Sequence, residues 1–403
     1  MRELDKRAET AQEKKSPIGS DVNLDDYAVE SPVHDKIETL TELTEADKER
    51  MLLAGVDTTE SERSGTYIQK DSSSVFSFSH EDGLEVIPIK EALEKLDWIK
   101  DYYGKLVPVD ADKYTARAHL DLQDGYVIRA LPGSKISFPV QACLYLERDG
   151  STQNVHNIII AEEGSELHII SGCAAATHVS KGLHIGISEF YVGKNAKLSF
   201  TMIHHWAKDI MARPRSVARV DEGGLFLSNY VSMKPIKSIQ AYPTTYLAGR
   251  GAVARLYSLL IASSGSELDI GGRVYLQESD TRAEIISRAI TNGGSIIARG
   301  DIIGEVPEAK GHLECRGLIL NGGLIHAIPE LQGKVDGVEL SHEAAVGKIA
   351  QDEIYYLMSR GLTEDEATAT IVRGFLNVDV PGLPSQLKAE IDRAVELSRA
   401  DAM

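Results

Sequence analysis

The sequence predicts a mainly β protein, a parallel β-helix flanked by N-terminal and C-terminal helical regions, and three observations carry that reading. First, short alternating or β-branched runs at 138–140, 167–169, 198–200, 225–227, 268–270 and 285–287 are each bounded by Gly, Asn, Ser or Asp. Second, Gly164, Gly193, Gly223 and Gly251 stand 29, 30 and 28 residues apart, and Gly265, Gly294 and Gly322 repeat the interval at 29 and 28. Third, helical periodicity is confined to the two ends of the chain. A coil that cannot bury its inner face alone must stack on the next, with glycines at the corners and helices over the exposed ends. A β-sandwich with regular turns has the same spacing, so both architectures stay open on spacing alone.

Taken in order, residues 1–35 are polar and charge-rich without a period and read as a mobile tail. Residues 36–109 read as a helical region. Thr44 with Asp47 forms a capping box ahead of Met51, Leu52 and Leu53, and Leu93, Leu96, Ile99 and Tyr103 follow at helical steps. From 110 to 340 the period is two, and about twenty strands of ordinary length fit there. Residues 341–403 read as a helical module. Ile349, Ile354, Leu357 and Met358 share a stripe that ends at Gly361, and Thr363 with Glu366 caps a helix carrying Ala367, Ile371, Val372, Phe375 and Leu376. After the breakers Pro381 and Pro384, Ser385 caps a last helix with Leu387, Ile391 and Val395.

The chain has 403 residues, 43 Lys+Arg against 61 Asp+Glu, and a net charge of −18. No basic cluster offers the counterion-releasing surface that nucleic acid or anionic lipid requires, so neither is an expected partner. The charged N-terminus and the lack of an apolar stretch near 18 residues predict a soluble, unexported, cytoplasmic protein. The three cysteines, Cys143, Cys173 and Cys315, are too few for a disulfide framework and read as thiols.

Every Gly-Lys pair lacks the Ser/Thr that a phosphate-binding P-loop requires, which excludes nucleotide hydrolysis by that route. Gly249, Gly251 and Ala254 match a dinucleotide fingerprint, but the residues after them alternate as a strand, where the fingerprint needs a helix. The densest set of soft and borderline ligands is His312, Glu314 and Cys315 with His342 and Glu343, joined by a segment carrying His326. Thiolate, imidazole and carboxylate together suit zinc or iron, although the spacing matches no zinc finger and Cys315 on a strand shares its face with apolar Leu313. Cys173, set among small residues, is either a reachable sulfur acceptor or packed filler. His204 and His205 are adjacent on a predicted strand, so they point to opposite faces and one is expected in solvent.

Residues 62–67 (ERSGTY), Ser171-Gly172-Cys173, Ser341-His342-Glu343-Ala344 with Lys348-Ile349, and the run from Tyr355 to Leu362 (YYLMSRGL) are familiar together. Over about residues 45–380 the chain resembles the SufB/SufD family of iron–sulfur cluster assembly scaffolds. The resemblance implies a right-handed parallel β-helix between helical regions, and a scaffold, not an enzyme, on which sulfide and iron are combined. It implies an ATPase partner of the SufC type docked on the C-terminal module, where Tyr356, Met358 and Leu362 are expected to seat it.

Residue by residue, the family's cluster-holding cysteine and glutamate match Cys315 and Glu343, and the histidine used in SufD matches His342. The cysteine that receives persulfide sulfur matches Cys173. The histidine eleven residues later and the tryptophan further on match His184 and Trp206, which would line a path for sulfur inside the solenoid. His204 stands where SufB proteins have glutamine, and Tyr145 and Glu147 replace Arg and Asn, so the sulfur path departs further from the family than the cluster site. The short chain resembles the compact archaeal form that works as a homodimer. Two copies of Cys315, His342 and Glu343 across a two-fold axis are then expected to hold a transient [2Fe-2S] or [4Fe-4S] cluster. Expected further partners are a sulfur donor and iron–sulfur apoproteins, and no motif speaks for a reduced flavin. Other classes compatible with the residues are a SufD-like partner without its own cluster, a zinc hydrolase if Cys315, His326 and His342 converge, and a polysaccharide-cleaving β-helix, which the sparse aromatics disfavour.

Overall fold

The computed structural model describes residues 2–376. Its core is a β-solenoid of about eight turns with helices at both ends. One sheet stacks the strands Val140–Leu146, Glu166–Ala175, Lys197–His205, Leu225–Ser232, Val253–Ser263, Arg282–Asn292, Lys310–Ile319 and Glu339–Gly347, each parallel to its neighbours. The second sheet is parallel along the solenoid and faces the first across the core. Consecutive strands of one sheet in a sandwich built from hairpins run antiparallel, so this register decides for the solenoid.

The glycine interval is the length of one coil. Glu166 pairs with Lys197, Lys197 with Leu225, Leu225 with Val253, Val253 with Arg282, and Arg282 with Lys310. Five of the seven spaced glycines turn corners at positive φ; Gly294 serves differently, since a Cβ there would lie 2.4 Å from the Ser263 carbonyl oxygen of the coil below. Because coils pair in parallel without slippage, side chains at paired positions point the same way and form columns along the axis. One inward column is Ser171, Met202, Tyr230, Ser258, Ser287 and Cys315; the adjacent inward column contains Cys173, His204 and Ser232.

Several expectations need correction. The supposed tail contains helix α1 (Arg2–Thr10), which buries Ala8, while Ala11 just beyond it is also buried; Arg7 pairs with Asp110 at 2.6 Å, and Asp5 meets His119 at 2.9 Å. These partners lie more than a hundred residues away, where local periodicity carries no signal. The region 36–109 is not purely helical. It holds α2 (Glu45–Leu53) and α3 (Ile89–Lys95), but also the strands Gly65–Lys70, Ser73–Ser79 and Leu84–Pro88, which extend the sheets at their N-terminal end. Thr44 caps α2 as expected, but Asp47 does not complete the box: its carboxylate takes Lys70 Nζ at 2.8 Å and the Tyr145 hydroxyl at 2.6 Å.

After α4 (Lys113–Leu120) the strands continue to Gly347, so His342 and Glu343 lie on the last strand and not in a helical module. The C-terminal helices are α5 (Gln351–Ser359) and α6 (Glu364–Leu376). Thr363 and Glu366 form the expected reciprocal cap, and Gly361 has φ +97°. The expected helix after Ser385 lies outside the described residues. Among the described residues no helix is long and apolar enough to cross a membrane.

Candidate functional site

The solenoid is hollow at mid-length. A cavity of about 80 Å³ lies between the sheets, bordered by His184, Met202, His204, Tyr230, Ser258 and Ser287 among others. The sequence explains the hollow: serines occupy inward positions that apolar side chains fill elsewhere, and the inner side of Gly186 is taken by the His184 ring, 2.8 Å from where a Cβ would stand.

Cys173, His184, His204 and Trp206, separated by up to 33 residues, are brought together here. Cys173 and His204 are register partners, and the Cys173 thiol contacts Met202 Sδ at 3.5 Å. The His184 and Trp206 rings are 5.2 Å apart. Burial pushes the Cys173 thiol well above its ordinary range and pushes both histidines down to about 3, so each ring is neutral.

Their tautomers follow from fixed partners. Trp206 donates its indole N–H to His204 Nδ1 at 2.6 Å, which leaves the His204 proton on Nε2. Gln153 donates its amide to the carbonyls of Asp71 and Tyr145, so its oxygen accepts from His184 Nδ1 at 3.0 Å, and His184 Nε2 keeps a lone pair. One ring is therefore a donor and the other an acceptor.

The expectation that one of His204 and His205 faces solvent fails, because both are buried. His205 does point to the outer face, but α2 covers that face there, and Arg50 donates to the carbonyls of Ala175 and His205 at 2.9 and 3.4 Å. The same cover closes over Cys173: a Cβ on Gly172 would come within 2.5 Å of the Ala54 carbonyl oxygen.

The second group lies at the C-terminal end. Cys315 is inward and buried, and burial pushes its thiol up to about 11 against the opposing pull of Arg288. His342 pairs with Leu313, one coil below, and so shares the inner face with Cys315, but it is exposed because no further coil covers it. Glu343 points the other way. On the outer face it accepts from Arg316 at 2.9 Å, while Arg316 and Arg288 both bridge to Glu314, at 2.6 and 2.8 Å.

The three expected cluster residues are thus divided between two faces, and among the described residues no group of three His, Cys, Asp or Glu is arranged to hold a metal ion. His326 lies on the other sheet beside buried, inward Ile325 and is itself exposed, so Cys315, His326 and His342 do not converge as a zinc centre. Of the three only Cys315 is buried, and His342 is the neighbour on its inward face.

At the C-terminal helices, α6 packs Ala369, Val372 and Leu376 on Ile290 and Leu318 of the solenoid. This leaves Tyr355, Tyr356 and Met358 of α5 exposed, with Leu362 half-buried beside them.

Sequence reasoning missed Met202, Tyr230, Ser232, Ser258 and Ser287. The signal that finds them is the coil length: stepping from Cys173 by one register lands on His204, and from there on Ser232.

Residues 144–375 match the family model described as SUF system FeS cluster assembly, SufBD core domain. An iron-sulfur cluster assembly SufBD family protein of Archaeoglobus fulgidus is 52% identical over 358 residues, covering 89% of this chain and 96% of that protein. A protein of the same description from Methanothermobacter thermautotrophicus is 45% identical over 99% of both chains, and one from Pyrococcus horikoshii is 32% identical over 91% of this chain and 84% of its own length. With more than half of its length inside the family model and its solenoid closed by helices at both ends, the chain belongs to the SufBD family of iron–sulfur cluster assembly proteins.

Proposed function

We propose that this protein is the scaffold on which an iron–sulfur cluster is built, with sulfur received at Cys173 and used at Cys315. The observation that carries the reading is the pair of inward columns: they connect Cys173 to Cys315 through Met202, Tyr230, Ser258 and Ser287 without crossing a sheet. Five strand spacings of ~4.8 Å put the two sulfurs about 24 Å apart along the axis. His184, His204 and Trp206 surround the receiving end. Ser258 and Ser287, hydrogen-bonded to each other at 3.0 Å, continue the polar lining toward Cys315.

The cluster is the product carried by the scaffold. In one chain Cys315 and His342 supply two ligands on the inner face, and a second copy doubles them. Homodimer formation is supported by the last coil, whose strands Leu324–Gly333 and Glu339–Gly347 each pair on one side only and leave Leu324 and Val346 exposed. Glu343 joins the site only by leaving Arg316, so its part is that of an exchangeable ligand. A shell with fewer than four thiolates suits a cluster that must be handed to apoproteins. Tyr356, Met358 and Leu362 form the proposed seat of a SufC-type ATPase, which supplies the nucleotide hydrolysis for which this chain has no P-loop.

The engagement of Glu343 by Arg316 favours a second reading, a SufD-like partner that supports a separate cluster-bearing paralogue. Anaerobic reconstitution with iron and sulfide, read by visible absorption and by metal and sulfide content, tests the first reading. The wild type gains a labile cluster and Cys315→Ala loses it. Equal iron and sulfide in the two proteins remove Cys315 from the site, and no cluster in either moves the assignment to the supporting partner.

A further inference from the structure

Three buried polar atoms inside the solenoid have no hydrogen-bond partner among the described residues: His204 Nε2, Tyr230 OH and Ser232 Oγ. They belong to one patch. His204 and Ser232 are register partners on adjacent strands, Tyr230 stands two residues before Ser232 on the same face, and the His204 and Tyr230 rings are 4.9 Å apart. Buried polar groups are nearly always paired, so three together without partners call for an explanation other than packing. Each can donate a hydrogen bond, His204 because Trp206 fixes its proton on Nε2 and the other two through hydroxyls. Around the patch stand the sulfurs of Cys173 and Met202 and the rings of Trp206 and His184. Neutral donors beside soft, polarisable groups fit a singly charged, polarisable anion better than a multiply charged, strongly hydrated one such as phosphate.

We propose that His204, Tyr230 and Ser232 form a station for a sulfur anion, either the outer sulfur of a perthiolate on Cys173 or free hydrosulfide. The first source rests on the reading of Cys173 as sulfur acceptor. There, Cys173 attacks the outer sulfur of a donor perthiolate, and the Cys173 thiol proton passes to the departing donor sulfur. The donor's S–S bond breaks with its electron pair leaving on that donor sulfur, and the new S–S bond leaves a negative charge on the outer sulfur of Cys173. No net oxidation or reduction occurs. The station holds that charge at the head of the column leading to Cys315, and Tyr230, one strand nearer to Cys315 than Cys173's own neighbour Met202, draws it in that direction.

The test treats the full-length protein with inorganic polysulfide and follows the added sulfur on Cys173 by mass spectrometry after the reagent is removed. The wild type retains the sulfur, while Tyr230→Phe combined with Ser232→Ala loses it about tenfold faster or more, as expected for two lost hydrogen bonds to a charged atom. Equal retention in the two overturns the station and leaves Cys173 as acceptor. If the wild type is not loaded at all, the acceptor reading fails, and crystals of the wild type soaked in iodide decide the station. An ordered iodide touching His204 Nε2 and Tyr230 OH supports a free-anion site, and water alone at those atoms overturns it. Tyr230→Phe by itself, which removes one oxygen and no carbon, provides the check should the double variant fold poorly.

Discussion

The middle of the solenoid and its last coil are built from the same repeat, yet they differ in almost every physical respect. In the middle, inward residues are covered on both sides, His184 and His204 are neutral, and Cys173 is buried facing the interior. In the last coil the equivalent inward residues, His342 among them, stand in solvent because no further coil follows. The repeat dictates where a side chain points, and the presence or absence of a next coil dictates its chemistry. The buried pocket of the proposed sulfur station and the exposed last coil come from one architecture by position alone.

Substitutions that remove apolar bulk sharpen this contrast most. Phe190, packed edge-to-face on Phe200 at 4.8 Å and in contact with Phe226, loses about 3–5 kcal/mol on replacement by alanine. Val346→Ala in the last coil stays within about 0.5 kcal/mol. Urea unfolding of the two variants measures the difference, and equal losses would erase the distinction between covered and open coils.

Acid gives the next largest effect. His184 and His204 have folded values near 3, below the ordinary value of about 6.5 that applies to the unfolded chain, so the unfolded state binds more protons between those limits. Stability therefore falls as pH drops below about 6.5, by up to a few kcal/mol near pH 4. His184→Gln together with His204→Gln flattens the urea midpoint over that range, and an unflattened slope would assign the acid sensitivity to other groups.

The smallest effect on the fold is expected at the open end. Leu324→Lys with Val346→Lys changes the unfolding free energy of the single chain by less than about 0.5 kcal/mol, but shifts sedimentation from dimer to monomer if the last coil is the interface between copies. An unchanged dimer locates that interface elsewhere.

The coil length was legible in the sequence because it repeats in the glycines, while the choice of solenoid over sandwich came from the resemblance; the division of His342 from Glu343 was hidden because residues 341–347 read as part of the helical module and not as a strand. The N-terminal strands were not legible: Ser73–Ser79 is serine-rich, and its strand is stabilised by neighbours such as Val86, whose carbonyl accepts the Ser77 hydroxyl at 2.8 Å. Helix α1 was missed because its anchors, Asp110 and His119, are remote in sequence. Cys173, His184 and Trp206 were found by resemblance. Tyr230 and Ser232 carry no motif and become visible only once each coil is aligned on the next.

Register without slippage also sets a rule for how such a molecule can change length. Inserting or deleting a single residue within a strand turns every later side chain on that strand to the opposite face, whereas gaining or losing a whole coil of 28 or 29 residues leaves all orientations intact. The separation between Cys173 and Cys315 is therefore quantised, adjustable only in rungs of ~4.8 Å. A solenoid with more or fewer coils would differ in how many rungs lie between the two cysteines, while the residues at each end keep their facing.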